Sequence, residues 1–415
     1  MRPSLIWRIL GICIVLCLVG CPGKQEEDRP QEIATTRHKT ADTTDKAHTT
    51  KKPAKYNEEG IDTTTFAISD STVSLKKQDF PKPLGRVINV LVTGVDSRLG
   101  DPMAHADANH VLRFFLDSGV VEIISIPRDT YADAGFDDTT GLNKLTNVRA
   151  NRGRRTYFKA VCQIAGVPSI DYYIEFGFSQ AIGLLELLGY KDNASSTLRV
   201  LRSRQAYSSG DFQRVYNQGQ FMRQALRKNV DRTDGLFGSL ALRAALMLVE
   251  TNLSYDNARS LLDALKASGF TGREDQIWVR LKPAMIAKLK IYEFDTANVS
   301  TIDRQMSSKM HRLHLDSVKI TQGTYEARLE NLIAKASRDS AKSPGSVIRL
   351  LQRPYEQRAW LQVTDRDRRH VYRDRVCTLL SMAYKRTKNT EAAKRVEEYQ
   401  AVEMELNDAD TNANK

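Results

Sequence analysis

Strands interleaved with amphipathic helices between residues 85 and 300, a hairpin within that stretch, and a helix-only region beyond residue 300 predict an α/β protein. The expected architecture is an α-β-α sandwich with a mixed, partly antiparallel central sheet, followed by a C-terminal all-α region. The chain has 415 residues, of which 41% are hydrophobic and 27% charged, so it can bury a sizeable core and is not disordered throughout. The net charge of +12 is spread thinly. Basic residues number 13 against 11 acidic ones in 1–84, 27 against 23 in 85–300, and 22 against 16 in 301–415. A nucleic-acid partner calls for a concentrated basic stripe, which this distribution excludes. Five cysteines argue against a disulfide scaffold.

The first twenty-one residues read as a lipoprotein-type signal peptide. Arg2 and Arg8 precede an uncharged run, Ile9 to Gly20. Twelve helical residues span about 18 Å, short of the roughly 30 Å hydrocarbon core of a bilayer. The run ends Leu18-Val19-Gly20-Cys21, which resembles a bacterial lipobox and marks Cys21 as the lipidation site. The alternative is an uncleaved signal anchor. Either reading places the protein outside the cytoplasm in the cell envelope, held on a membrane surface; the lipobox reading makes the anchor a lipid, on the inner or outer membrane. Residues 22–84 read as a flexible tether, since 22–60 carry a Thr/Lys/Asp mixture almost without large apolar side chains.

From Val87 the pattern changes. Val87 to Val92, Val111 to Leu116, Val120 to Ile126 and Ile170 to Phe176 read as strands. Asp117-Ser118-Gly119 joins the second and third as a hairpin, which makes the sheet at least partly antiparallel. Helical patterns fall at 155–165, 179–188, 212–228, 236–250 and 255–267. Beyond residue 300, helices are expected at 325–338, 365–386 and 391–406, with breaks at Ser343-Pro344-Gly345 and Lys388-Asn389. Leu380, Ala383, Tyr384, Ala392 and Ala393 resemble one helix pair of a tetratricopeptide-type repeat. One repeat match is weak, so a plain helical bundle is the better reading, and the region could dock a protein partner.

Charged residues cluster at the ends of the expected strands. Gly94-Val95-Asp96-Ser97-Arg98 leaves the first, and Asp107 precedes the second. The third runs into Ser125-Ile126-Pro127-Arg128-Asp129-Thr130-Tyr131, where proline stops the ladder and leaves Arg128 and Asp129 on a loop. Arg202 and Arg204, two apart in an expected extended segment, project to one side. Gly210-Asp211 reads as a helix N-cap, with Arg214 and Gln218 one turn apart. Convergent arginines with separated aspartates suit an anionic phosphate and a hard divalent metal. Plainer readings exist for each: Arg-x-Arg as a solvated edge, Asp211 as a cap, Lys144 as a surface lysine, and Arg149, Arg152, Arg154 and Arg155 as a solvated helix entrance. The apolar 236–249 helix and Ile182, Leu184, Leu185 and Leu188 read either as core or as the lining of a lipid tunnel.

Taken in order, GlyValAspSerArg, the Asp before a strand, SerIleProArgAspThrTyr, AsnLysLeuThrAsn, IleAspTyrTyrIleGluPhe with Phe178, and ArgSerArg…GlyAspPheGlnArg…Gln resemble the LytR-CpsA-Psr family over residues 85–300. The resemblance implies an extracytoplasmic phosphotransferase that moves glycans from a polyprenyl pyrophosphate carrier to peptidoglycan or another envelope glycan, with Mg²⁺. It implies that Asp96 and Asp107 hold the metal. Arg128, Arg202, Arg204 and Gln218 would hold the pyrophosphate, with Arg98, Lys144 and Arg214 nearby, and Asp96 or Asp129 would act as base, which makes Asp96, Arg128 and Asp129 the catalytic candidates. Two features depart from the family pattern. His105-Ala106-Asp107 stands where Arg-Ser-Asp is usual, and only twelve residues separate Gly189 from Arg202. They leave two other expectations open: a non-catalytic polyprenyl-pyrophosphate-binding scaffold, and a polyprenyl pyrophosphate phosphatase.

Overall fold

The computed structural model describes residues 73–74, 85–97, 104–203, 210–230, 235–284, 288–312 and 322–413. The signal segment with Cys21, and the candidates Arg98 and Arg204, lie outside them. In chain order the elements are β1 (Val73–Ser74), β2 (Val87–Val95), β3 (Ala106–Phe115), β4 (Val120–Ile126), α1 (Leu145–Asn151), α2 (Gly153–Ala165), β5 (Tyr172–Phe176), α3 (Phe178–Leu187), α4 (Ala194–Arg202) and α5 (Gly210–Asn229). They continue with α6 (Gly235–Leu248), β6 (Glu250–Thr251), α7 (Tyr255–Ala267), β7 (Ile277–Leu281), β8 (Lys288–Leu289), α8 (Thr296–Arg312), α9 (Gln322–Asp339), α10 (Pro344–Glu356), α11 (Arg366–Arg386) and α12 (Thr390–Ala413).

Six strands form the central sheet in the order β6-β5-β2-β3-β4-β7. β2, β3 and β4 run antiparallel to their neighbours in turn, while β5 joins β2 and β7 joins β4 in parallel. The sheet is therefore mixed, as its sequence predicts. β2 is buried on both faces, which is why it reads as a continuous apolar run. Val90 and Val92 pack with α3, α4, α5 and α7 on one side. Leu91, with Val111 and Ile124, packs against Leu145, Val148, Tyr157 and Val161 of α1 and α2 on the other. Two glycines permit close approaches. Gly119 closes the β3–β4 turn with φ +60°, and a Cβ there would lie 2.6 Å from the Ser268 carbonyl oxygen. Gly219 lets α5 press onto the sheet, where a Cβ would lie 2.7 Å from both Ser125 Oγ and Val279 Cγ1.

Several segments depart from expectation. Val73–Ser74, within the stretch read as tether, pairs antiparallel with Lys288–Leu289. Leu201 and Arg202 end helix α4 rather than lying in an extended segment. The short 189–202 stretch carries α4 from Ala194 onward, tied to α8 by a bidentate Arg199–Asp303 pair, both contacts 2.7 Å. Arg149 and Arg154 are not a solvated helix entrance. Arg149 grips Glu175 of β5 through two hydrogen bonds of 2.8 and 2.7 Å, and Arg154 joins Glu175 at 3.3 Å while its guanidinium lies 4.6 Å from the Tyr173 ring.

The C-terminal helices α9 to α12 surround their own core of Leu329, Ile333, Leu351, Trp360, Val376, Leu380 and Tyr399. They dock on this chain's own α3 and α6. Arg358 Nη2 donates to the Met247 carbonyl at 2.7 Å, and its guanidinium lies between the Tyr355 and Tyr399 rings at 4.1 and 4.0 Å. Gln180 Nε2 bridges the Leu248 and Glu356 carbonyls at 2.7 and 3.0 Å. Arg369 pairs with Glu186 at 2.5 Å. Cys162 and Cys377 are both free thiols. Burial pushes Cys377 up to about 12, so its nucleophilic thiolate is suppressed. Among the described residues, no helix is long and apolar enough to cross a membrane.

Candidate functional site

The carboxyl ends of β2, β4 and β5 meet the start of β3 at one edge of the sheet, the usual place for a ligand in an open α/β fold. A register shift opens there: Gly94 pairs with Ala108 and Val95 with Ala106, so Asp107 is the extra residue of a β-bulge. Bulges re-aim side chains at the rims of sheets, and Asp107 meets Arg128 from the end of β4 at 2.5 Å. Asp96 follows β2, and its amide bonds the His105 carbonyl at 2.9 Å. Its carboxylate lies 3.8 Å from Arg202 Nη2 at the end of α4, whose guanidinium stands 5.0 Å from the Phe178 ring. Asp129 bridges two cations, 4.0 Å from Arg128 Nε and 3.5 Å from Lys144 Nζ. Lys144 is thus paired with the loop that carries Arg128.

On α5, Asp211 falls in the first turn rather than at the cap. It pairs at 2.6 Å with Arg214, whose side chain is only 4% exposed. Burial alone would lower the Arg128 pKa. The carboxylates of Asp107, Asp129 and Asp211 outweigh it and hold the value above the ordinary arginine range. Three aspartates from β3, the 127–144 loop and α5 therefore surround one guanidinium.

Behind this mouth lies an apolar cavity of about 170 Å³ between the sheet, α3, α5 and α6. Ala181, Leu184, Leu185 and Leu188 of α3 face it, with Phe221 of α5 and Ala245 of α6, while Asp107, Arg202, Arg214 and Gln218 stand at its polar end. Of the α3 residues read as either core or tunnel lining, Leu184, Leu185 and Leu188 face this cavity while Ile182 lies in the core. Leu184 and Val249 line the cavity and also pack against the C-terminal core.

His110 is the residue that sequence reasoning missed. It lines the cavity fully buried, with Nδ1 2.9 Å from Ser125 Oγ and Nε2 3.2 Å from Gln218 Oε1. Gln218 Nε2 donates to the Leu201 carbonyl at 2.9 Å, so its oxygen accepts from His110 and Nε2 carries the imidazole proton. The available signal was a histidine two residues after Ala108 on the inward face of an apolar strand. Burial lowers His110 to about 4, against the Gln218 hydrogen bond and helped by the Arg214 charge. The native pKa lies below the unfolded value of about 6.5. The unfolded chain therefore takes up the proton first, and stability falls as pH drops from about 6.5 to about 4. His110→Gln should flatten that decline by up to about 3 kcal/mol, measured as the difference between variant and wild-type urea unfolding at pH 7 and pH 4.5.

No group of three or more His, Cys, Asp or Glu side chains clusters for a metal among the described residues. Mg²⁺ needs fewer, because it is commonly held by one or two carboxylates and completed by phosphate oxygens and water. Asp96 and Asp107, on paired strand ends, fit that donor set.

The cavity is thus apolar along its walls, with Asp107, Arg202, Arg214 and Gln218 as its polar lining. Residues 35–188 match the model of the LytR_cpsA_psr family. Members are extracytoplasmic proteins of the cell envelope and typically glycopolymer transferases. The fold resembles that of TagV from Bacillus subtilis, with 17% identity, a TM-score of 0.39, and coverage of 55% of this chain and 98% of that one. A protein described as a transcriptional regulator from Enterococcus faecalis has 17% identity and a TM-score of 0.38, over 54% of this chain and 88% of that one. TagT bound to LI-WTA has 17% identity and a TM-score of 0.35, over 59% and 99%. No curated protein matches the chain.

Proposed function

We propose that this protein is a lipid-anchored phosphotransferase that moves a glycan phosphate from a polyprenyl pyrophosphate carrier to a cell-envelope glycan such as peptidoglycan. The observation that carries the reading is the cavity whose apolar walls end at Asp107, Arg202, Arg214 and Gln218. Its walls suit a prenyl chain and its mouth suits a pyrophosphate. Arg128 and Arg202 would bind the phosphate oxygens through their planar forks. Arg214, held by Asp211, would contribute charge from below. Mg²⁺ bound by Asp96 and Asp107 would neutralise the phosphate charge during transfer.

An acceptor hydroxyl attacks the glycan-bearing phosphorus. The new phosphorus–oxygen bond forms as the phosphoanhydride breaks, and prenyl monophosphate leaves. The hydroxyl proton passes to Asp96 or Asp129. The family features that support this reading are the positions of Asp96, Asp107, Arg128, Arg202 and Gln218 in the motif order. The 2.5 Å pair between Arg128 and Asp107 must open for a metal to enter, which favours a second reading as a binding scaffold.

Phosphorus NMR of the full chain with geranylgeranyl pyrophosphate and Mg²⁺ separates the two. Slow conversion to monophosphate, with water as acceptor, is the expected result. Line broadening without conversion would favour the scaffold, and unchanged signals would contradict both.

A further inference from the structure

Seven large apolar or aromatic side chains are exposed among the described residues, and four of them, Tyr131, Phe136, Leu142 and Phe212, lie in the segments that carry the site. The most exposed is Tyr131, at 68%. Its backbone is not loose. Residues 128–132 and 142–146 are stitched together by Leu145 N to Thr130 O at 2.8 Å, Thr146 N to Arg128 O at 3.0 Å and Ala132 N to Asn143 O at 3.3 Å. Buried Asn143 fixes the rest of the loop. Its Oδ1 accepts from the amides of Ala134 and Phe136 at 3.1 and 3.2 Å, and its Nδ2 donates to the Phe136 carbonyl and to Asp138 at 3.0 and 2.6 Å. The Tyr131 hydroxyl donates to Asp138 at 3.3 Å. An aromatic face is thus held rigidly toward solvent.

A chain of contacts joins that face to the cavity. Tyr131 pairs through its backbone with Lys144, Lys144 meets Asp129 at 3.5 Å, Asp129 stands 4.0 Å from Arg128, and Arg128 meets Asp107 at 2.5 Å. We propose that Tyr131, flanked by Phe136 and Leu142, is the platform on which the acceptor glycan stacks, with the loop's carboxylates and hydroxyls bonding the sugar hydroxyls. This deepens the phosphotransferase reading and rests on it.

A planar ring beside hydrogen-bonding groups matches a pyranose, which has an apolar face and a rim of hydroxyls. Asp137, Asp138, Thr139 and Thr140 supply those groups within the same loop. The alternative occupant of exposed aromatics beside a lipid cavity is the membrane surface. The charge argues against it. Residues 129–143 contain four aspartates and no lysine or arginine. Lys144 pairs with Asp129 and Arg152 with Asp133 at 3.0 Å, while Asp137 and Asp138 have no basic partner among the described residues. An anionic lipid surface would repel such a loop, whereas a neutral sugar would not.

The test is binding of a β-linked N-acetylglucosamine tetrasaccharide to the full chain, followed by saturation-transfer NMR and titration, for wild type, Tyr131→Ala and Tyr131→Trp. The ring is exposed, so the variants should keep the wild-type urea midpoint. Tyr131→Ala is expected to lose about tenfold in affinity while Tyr131→Trp retains it. Equal affinity in all three, or no binding by wild type, would overturn the platform. So would Tyr131-dependent binding to phosphatidylglycerol vesicles without sugar binding. Cleavage of geranylgeranyl pyrophosphate by wild type is scored separately. Its absence beside Tyr131-dependent sugar binding would sink the phosphotransferase reading and leave the platform standing.

Discussion

Arg128→Ala should lower prenyl pyrophosphate turnover about a hundredfold to a thousandfold, the cost of removing one well-placed charge donor from a phosphoryl or acyl transition state. Arg128 is the guanidinium on which Asp107, Asp129 and Asp211 converge. Its loss would remove the proposed phosphate ligand and leave the carboxylates facing one another. Arg128→Lys keeps the charge without the fork and should recover only part of the rate. The side chains of the Arg128–Asp107 pair are 21% and 19% exposed, so solvent screens it and the effect on stability should be about 1 kcal/mol. Turnover by phosphorus NMR with a parallel urea midpoint distinguishes lost chemistry from lost fold. An Arg128→Ala protein that is folded and as fast as wild type would remove Arg128 from the reaction.

The second large effect concerns the cavity. Ala181 of α3 faces it, and a benzyl group there would fill much of a space of about 170 Å³. Each isoprene unit adds five carbons, whose burial contributes up to about 4 kcal/mol. Ala181→Phe should therefore abolish the gain in affinity from lengthening a prenyl chain, with inorganic pyrophosphate binding within about twofold of wild type. Overpacking costs about 1–3 kcal/mol of stability, which urea unfolding would register. Normal chain-length dependence in the variant would place the prenyl chain elsewhere.

The strands of the central sheet were legible wherever β-branched residues ran continuously, as in Val87–Val92 and Val120–Ile126, although β2 runs on to Val95. β7 was not, because Ile277–Leu281 is five residues with a tryptophan and an arginine, lying between helices. α10 was hidden by Ser343-Pro344-Gly345. Those residues end one helix but also place proline in the first turn of the next, where its missing N–H costs nothing. The Arg-x-Arg spacing invited an extended reading, yet Thr197, Leu198 and Leu201 are buried with helical spacing and draw Arg202 into α4.

The site was legible as a set of residues but not as a geometry. Asp107 meets Arg128 only because a bulge shifts β3 against β2, and Lys144 meets Asp129 only because the 128–132 and 142–146 segments pair. The first depends on a bulge and the second on loop pairing, neither of which the alternation of apolar residues reveals. His110 was invisible for the same reason: its partners Ser125 and Gln218 lie on a neighbouring strand and on a helix 108 residues along the chain.

The most direct measurement is calorimetric titration of the full wild-type chain with inorganic pyrophosphate and then with ten-, fifteen- and twenty-carbon prenyl pyrophosphates. The proposed function predicts that affinity rises by about tenfold or more from inorganic pyrophosphate to the longest chain, because head and tail would occupy the two ends of one cavity. Equal affinities across the series would contradict that, and the cavity would then be a packing void behind a phosphate site.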